Sequence, residues 1–180
     1  MKSIVLTALL LLILGSATLT LAAEPSQGAE ILDACGVRGG LVVHLGCGDG
    51  KLTIALRVND SCLVHGLDID AKNIAKAREH IRSKGFYGAV SVEMFDGKRL
   101  PYADNMVNLL VADKLGGMTM DEVMRVLTPL GVAQIGRKKI VKPRPKELDE
   151  WTHYLHNASG NPVARDDAVK PPRQLKWVAS

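Results

Sequence analysis

Val42–Leu56 reads VVHLGCGDGKLTIAL: an apolar run breaks into three alternating glycines and then resumes. Leu41–Leu45 has the length and composition of a buried strand, and Leu52, Ala55 and Leu56 share one face of a helix over 51–57. Strand, glycine turn and helix together open a parallel α/β unit. In such sheets ligands bind beyond the carboxyl ends of the strands, where the strand order reverses. Gly46 can make the sharp turn there, and Gly48 and Gly50 let the backbone approach a ligand. The free N–H groups of the following helix point into the same crevice.

Spacing separates the candidate ligands. A dinucleotide fold wants G-x-G-x-x-G, but Lys51 stands at the third glycine's place and the pattern is G-x-G-x-G. That disfavours a nicotinamide oxidoreductase. A phosphate-binding P-loop ends in G-K-[ST], and Gly50-Lys51-Leu52 lacks the hydroxyl.

Further along, strand and helix patterns alternate. Ala29–Ala34 is a short helix candidate, and Cys62–Leu67 reads as a strand that ends in Asp68. A carboxylate about twenty residues after the glycines can accept both hydroxyls of a ribose. Asp70 can cap a helix over Ala71–Lys84, with Ile74, Ala77 and Ile81 on its buried face and Gly85 beyond its end. Val90–Met94 is a third strand, followed by Asp96-Gly97, and Met106–Ala112 is a fourth. Thr119 and Glu122 form a capping box, and Met120, Val123, Met124 and Leu127 follow at helical spacing. Pro129 and Gly131 stop that helix before a fifth strand, Val132–Ile135. The alternation predicts a parallel sheet with helices on both faces.

Hydrophobic residues make up 47% of the 180 residues and aromatics only 4%, so the core must be aliphatic. Charge divides unevenly: residues 1–136 hold thirteen Lys and Arg against fourteen Asp and Glu, while residues 137–180 hold ten against five. The run Arg137–Lys146 lacks the interleaved aromatics that stack bases, so it reads as a solvated linker with no specific nucleic-acid signal. Cys35, Cys47 and Cys62 have no metal-ligand spacing and read as small buried hydrophobes. His153 and His156 stand three apart near Asp149 and Glu150 without a third ligand, so no metal site is predicted. Asn157-Ala158-Ser159 is a formal glycosylation triplet.

The first residues, MKSIVLTALLLLILGSATLTLAAEPSQG, run from one Lys through an apolar stretch, Ile4–Leu14, to small residues ending in Ala22-Ala23. That order predicts a signal peptide over residues 1–23 and export to the periplasm or outside the cell. An uncleaved segment would be a membrane anchor, and it would be the chain's one membrane contact.

From Ala29 to Ile135 the sequence resembles the class I S-adenosylmethionine-dependent methyltransferases. VVHLGCGDG is similar to the family's first motif, and GLDID (Gly66–Asp70) to its second-strand motif. MFDGKRLPYADNMVNLLVA (Met94–Ala112) is similar to the stretch that carries the adenine-side acid. EVMRVLTPLGVAQI (Glu122–Ile135) is similar to the helix, turn and fifth strand. The resemblance implies a Rossmann-like three-layer domain over 29–136 with five recognisable parallel strands. It implies S-adenosyl-L-methionine as cofactor, held by Gly46, Cys47, Gly48, Gly50, Asp68, Ile69, Asp96 and Gly97. Asp68 would take the ribose, Asp96 the adenine amino group and the glycine loop the methionine part. An acceptor loop would follow the fourth strand at Asp113-Lys114-Leu115-Gly116-Gly117. It carries no Asn-Pro-Pro-aromatic signature, and neither the acceptor nor a catalytic residue is assigned.

The chain also departs from the family. His44 stands where an acid is usual, Asn108 where Asp is frequent, and Leu130 where glycine is common. The final antiparallel hairpin has no evident counterpart, and residues 137–180 read as an irregular basic tail. That tail, ending in QLKWV (Gln174–Val178), resembles the segment joining a methyltransferase-like domain to a PQQ-like β-propeller in large secreted bacterial proteins. Two functions follow from the resemblance. One is an active methyltransferase. The other is an exported, catalytically degenerate binding or structural module, fused to such a propeller in a longer protein.

Overall fold

The computed structural model describes residues 26–147, 149, 154–156, 158–160 and 162–163. Among these residues ten elements follow in chain order: α1 (Gln27–Cys35), β1 (Gly40–Leu45), α2 (Lys51–Ala55), β2 (Cys62–Asp68), α3 (Ala71–Ser83), β3 (Val90–Met94), β4 (Val107–Ala112), α4 (Met120–Val126), β5 (Leu127–Ile135) and β6 (Lys138–Val141). The strands form one sheet in the order β3-β2-β1-β4-β5-β6. The first five are parallel to their neighbours, and β6 runs antiparallel to β5. The order reverses between β1 and β4, so the crevice for a ligand lies above that junction.

Both faces of the sheet are covered, which is why its strands read as continuous apolar runs. Val42, Val64, Val92, Leu109 and Val111 pack on one side with Leu32 of α1, Leu56 after α2, and Ile74, Ala77 and Ile81 of α3. Val43, Leu45, Leu67, Leu110 and Ala133 pack on the other with Leu100, Met118 and the α4 residues Val123 and Val126. Cys35, Cys47 and Cys62 are buried free thiols in the first of these cores.

Local signals fix the helix ends. Ser26 Oγ accepts the Ala29 N–H ahead of α1, and Gly36 closes that helix at φ +73°. Asp70 accepts the Lys72 N–H ahead of α3. The Thr119–Glu122 box is only half made: Thr119 Oγ1 accepts the Glu122 N–H, but the Glu122 carboxylate accepts the Leu100 N–H at 2.8 Å. Arg125 grips the same carboxylate at 2.7 and 2.8 Å, and it donates to Asp104 and to the Leu100 and Tyr102 carbonyls. Tertiary bonds to the β3–β4 crossing thus replace the second half of the local cap.

Beyond α4 the structure differs from expectation. The helix ends at Val126, and β5 begins at Leu127 instead of after Gly131. The step from Val107 to Leu109 on β4 is matched by Leu127 to Val132 on β5, so Thr128–Gly131 loop out. This bulge admits Pro129 and holds Leu130 at φ +64°. The expected irregular tail begins with an edge strand instead. Gly136, at φ +55°, turns the chain into β6, which makes an antiparallel hairpin with β5. Two lysines of the basic run act here rather than being merely solvated. Lys139 Nζ donates to the Ala34 carbonyl at the end of α1, and Lys142 Nζ to the Leu127 carbonyl and Asn105 Oδ1.

Neither the expected export nor the expected membrane anchor finds support in the structure. No helix among the described residues is long and apolar enough to cross a membrane. Residues 1–25, which carried both expectations, lie outside the described part, as do Trp151, His153, Asn157 and the QLKWV segment.

Candidate functional site

A cavity of about 380 Å³ opens at the carboxyl ends of the strands. Leu45, Gly46 and Gly48 line it from β1 and its loop, Asp68 and Ile69 from β2, and Phe95 and Gly97 from β3. Asn73 adds a side from α3, and Asp113–Met118 closes the side beyond β4. The register pairs Leu45 with Ala112, so Asp113 follows β4 at the level where the glycine loop leaves β1.

The loop is tied to the neighbouring strand. The N–H groups of Gly46 and Cys47 donate to the Leu67 carbonyl at 2.8 and 3.2 Å. Gly46 and Gly48 sit at φ +72° and +53°, a region costly for other residues. A Cβ on Gly46 would meet nothing within 4 Å, and on Gly48 only the Gly46 carbonyl at 4.0 Å. The missing side chains therefore leave open space in the cavity, as a close-lying ligand requires. Gly50 is different. Its Cβ would lie 3.0 Å from Ala77 Cβ, so this glycine serves the packing of α2 on α3 and does not line the cavity.

Asp68 ends β2 and is only 5% exposed. Its Oδ2 accepts the Gly48 N–H at 3.0 Å and Asn73 Nδ2 at 3.2 Å, while Oδ1 accepts the Asp70 N–H at 2.9 Å. The carboxylate thereby joins the glycine loop, the end of β2 and the start of α3. Ile69 is exposed beside it and packs its Cγ2 against the Gly97 turn.

Two other expected contacts are placed differently. The Cys47 side chain turns into the core below the loop, where burial, with Asp68 near, pushes its thiol up to about 12. Asp96 is exposed and does not line the cavity. Its Oδ1 accepts the Lys98 and Arg99 N–H groups at 2.8 and 2.9 Å. Those two donors hold its carboxyl below the usual range. It builds the turn that brings Gly97 to the cavity.

His44 lies under the loop, 7% exposed, with Nδ1 2.9 Å from Thr53 Oγ1 of α2. Burial lowers its pKa, against the opposing pull of Asp113 and Asp68, so the ring is neutral at pH 7. The other two departures lie away from the cavity. Asn108 sits near the amino end of β4, where its Oδ1 accepts the Leu41 N–H at 3.0 Å. Leu130 lies in the β5 bulge.

Phe95, Met118 and Asn73 line the cavity and were not singled out from the sequence. Asn73 had a readable signal. It stands four residues before Ala77, so it continues the buried stripe of α3 with a polar side chain.

Residues 38–174 match the family described as Methyltransferase domain. The chain belongs to this methyltransferase family. The domain's fold is that of the class I S-adenosylmethionine-dependent enzymes. A SAM-dependent methyltransferase from Aquifex aeolicus superposes with a TM-score of 0.54 at 20% identity, over 61% of this chain and 62% of that one. Geranyl diphosphate methyltransferase in complex with SAM does so with a TM-score of 0.53 at 20% identity, over 61% and 47%. The ubiquinone/menaquinone biosynthesis C-methyltransferase UbiE of Yersinia enterocolitica is 30% identical over 146 residues, 75% of this chain and 58% of that protein. The methyltransferase domain thus spans little more than half the length of that curated relative.

Proposed function

We propose that this methyltransferase domain binds S-adenosyl-L-methionine and transfers its methyl group to an acceptor held near Asp113–Gly117. One observation carries the reading: an open glycine loop and the Asp68 carboxylate meet at the wall of a single cavity above the strand-order reversal. Gly46 and Gly48 give the methionine portion close backbone approach. Asp68 accepts a hydrogen bond from the ribose. Gly97 and Ile69 border the adenine, and Asp96 serves it indirectly by building the turn that carries Gly97. When bound, the cofactor supplies a methyl group already activated on a sulfonium. The protein's task is then to align the acceptor and exclude water. Leu45, Phe95, Leu115 and Met118 give the cavity apolar walls for that purpose. No catalytic base is assigned.

A binding module without turnover is the second reading, and His44 favours it. A neutral imidazole replaces a fixed negative charge under the glycine loop. Asn108 and the chain's end do not favour it, since Asn108 lies at the far end of β4 and the β5–β6 hairpin is present.

Calorimetry with S-adenosylmethionine and S-adenosylhomocysteine tests the first reading. Micromolar binding, weakened tenfold or more by Asp68→Ala, is expected. A folded wild-type chain that binds neither compound refutes it. Binding without transfer of a labelled methyl group to any of a panel of small-molecule acceptors favours the module.

A further inference from the structure

Asn73 sits in the first turn of α3, half-buried at the cavity wall. Asn is a weak helix former, and a half-buried amide needs partners. The hydrogen bond seen for its side chain among the described residues joins Nδ2 to Asp68 Oδ2 at 3.2 Å. Chemistry fixes which end of the amide faces that oxygen. An ionised carboxylate only accepts, so the amino group must face it and the carbonyl oxygen is left over.

The capacity of Asp68 is limited. A carboxylate offers about four acceptor positions. The Gly48 N–H, the Asp70 N–H and Asn73 Nδ2 already use three of them. One position remains, whereas a vicinal diol brings two donors. The second hydroxyl needs another acceptor nearby, and Asn73 Oδ1 belongs to a side chain already hydrogen-bonded to Asp68. An amide also suits this place better than a cation. Lys or Arg here would pair with Asp68 and saturate it, while Asn fixes its orientation and leaves its charge in place.

We infer that Asn73 is a positioning and selectivity residue for a ribose-type diol: its Nδ2 holds the Asp68 carboxylate in place, and its Oδ1 takes the second hydroxyl. This rests on the cofactor reading above. Thermal melts of Asn73→Ala and Asn73→Asp establish folding first. Alanine is the better helix former, so Asn73→Ala should fold despite the lost bond, and the melt of Asn73→Asp reads the cost of a second carboxylate beside Asp68. Calorimetry then uses S-adenosylhomocysteine and its 2′-deoxy and 3′-deoxy counterparts. The wild-type chain should prefer the diol by about tenfold over at least one deoxy compound. Asn73→Ala should bind the diol about five- to tenfold more weakly, with its preference over that compound reduced to about twofold. Asn73→Asp should lose more, because two adjacent carboxylates repel. Unchanged selectivity in Asn73→Ala, or equal losses for diol and deoxy ligands, overturns the proposal while leaving the cofactor reading intact. Failure of the wild-type chain to bind any of the three overturns the cofactor reading and this proposal with it.

Discussion

Replacing Asp68 with Asn should destabilise the ligand-free domain. Residues that serve binding are often strained, so changing them commonly leaves stability unchanged or raises it. Here the side chain also carries structure. Both oxygens accept backbone N–H groups, Gly48 on one and Asp70 on the other, and Asn73 adds a third bond. An Asn side chain has one acceptor oxygen. If that oxygen faces Gly48 and Asn73, its amino group faces the Asp70 N–H; in the other orientation it faces two donors. The better orientation loses one charge-assisted bond and weakens two to neutral ones. At about 1.5 kcal/mol for the lost bond and about 0.7 kcal/mol for each weakened one, the cost is about 3 kcal/mol. For a domain of this size that is a fall of roughly 10 °C in Tm. Urea unfolding of both proteins without ligand measures it. A variant as stable as the wild type would show that Asp68 does not hold the loop, and the three-way junction would have to be abandoned.

Arg125→Lys should cost about 2 kcal/mol, because an ammonium cannot replace a planar fork that joins Glu122, Asp104 and two carbonyls; denaturant unfolding checks it. Leu130→Gly should stabilise by about 1 kcal/mol, since Leu130 is 62% exposed and held at φ +64°; a Tm that falls would refute this. Stability should decline as pH drops from 7.5 to 5.5. Burial lowers the pKa of His44 and of His65, so each contribution is complete above the ordinary value of 6.5 and is lost as pH falls toward the folded-state value. Each histidine adds a slope of at most about 1.4 kcal/mol per pH unit, and equal unfolding free energies at the two pH values would contradict the assignment.

The fold was readable because the central strands are mostly apolar and the longer helices have end signals written beside them, as at Asp70 and Gly85. The glycine loop and Asp68 were readable for a related reason. Their spacing is set by the length of one strand–helix–strand unit, which the sequence displays. What escaped notice depends on contacts across the chain. Glu122 promised a local capping box, and a donor 22 residues away took its carboxylate. Lys139 and Lys142 looked like tail charges, yet a lysine's partner is decided by what lies opposite after folding. Cys47 and Gly50 stood inside the motif, but loop geometry sends the Cys47 side chain into the core and sets Gly50 against α3.

His44 shows how a departure in sequence can preserve one duty and discard another. A side chain at this position can link β1 to α2, and His44 does so through its 2.9 Å contact with Thr53. Any acceptor or donor of suitable length meets that need, so the loop keeps its shape. An acid would also place a negative charge beneath the loop, and a neutral imidazole does not. Two carboxylates, Asp68 and Asp113, remain on the cavity wall, and both act electrostatically on His44. Restoring an acid would give three negative groups close together, and burial plus mutual repulsion would raise the pKa of at least one. His44→Asp is therefore expected to keep the fold only with a carboxyl that titrates abnormally high. NMR titration of the variant reads that directly. A carboxyl titrating in the usual range would mean that the three groups are screened from one another, and that the neutral histidine is not needed to limit charge under the loop.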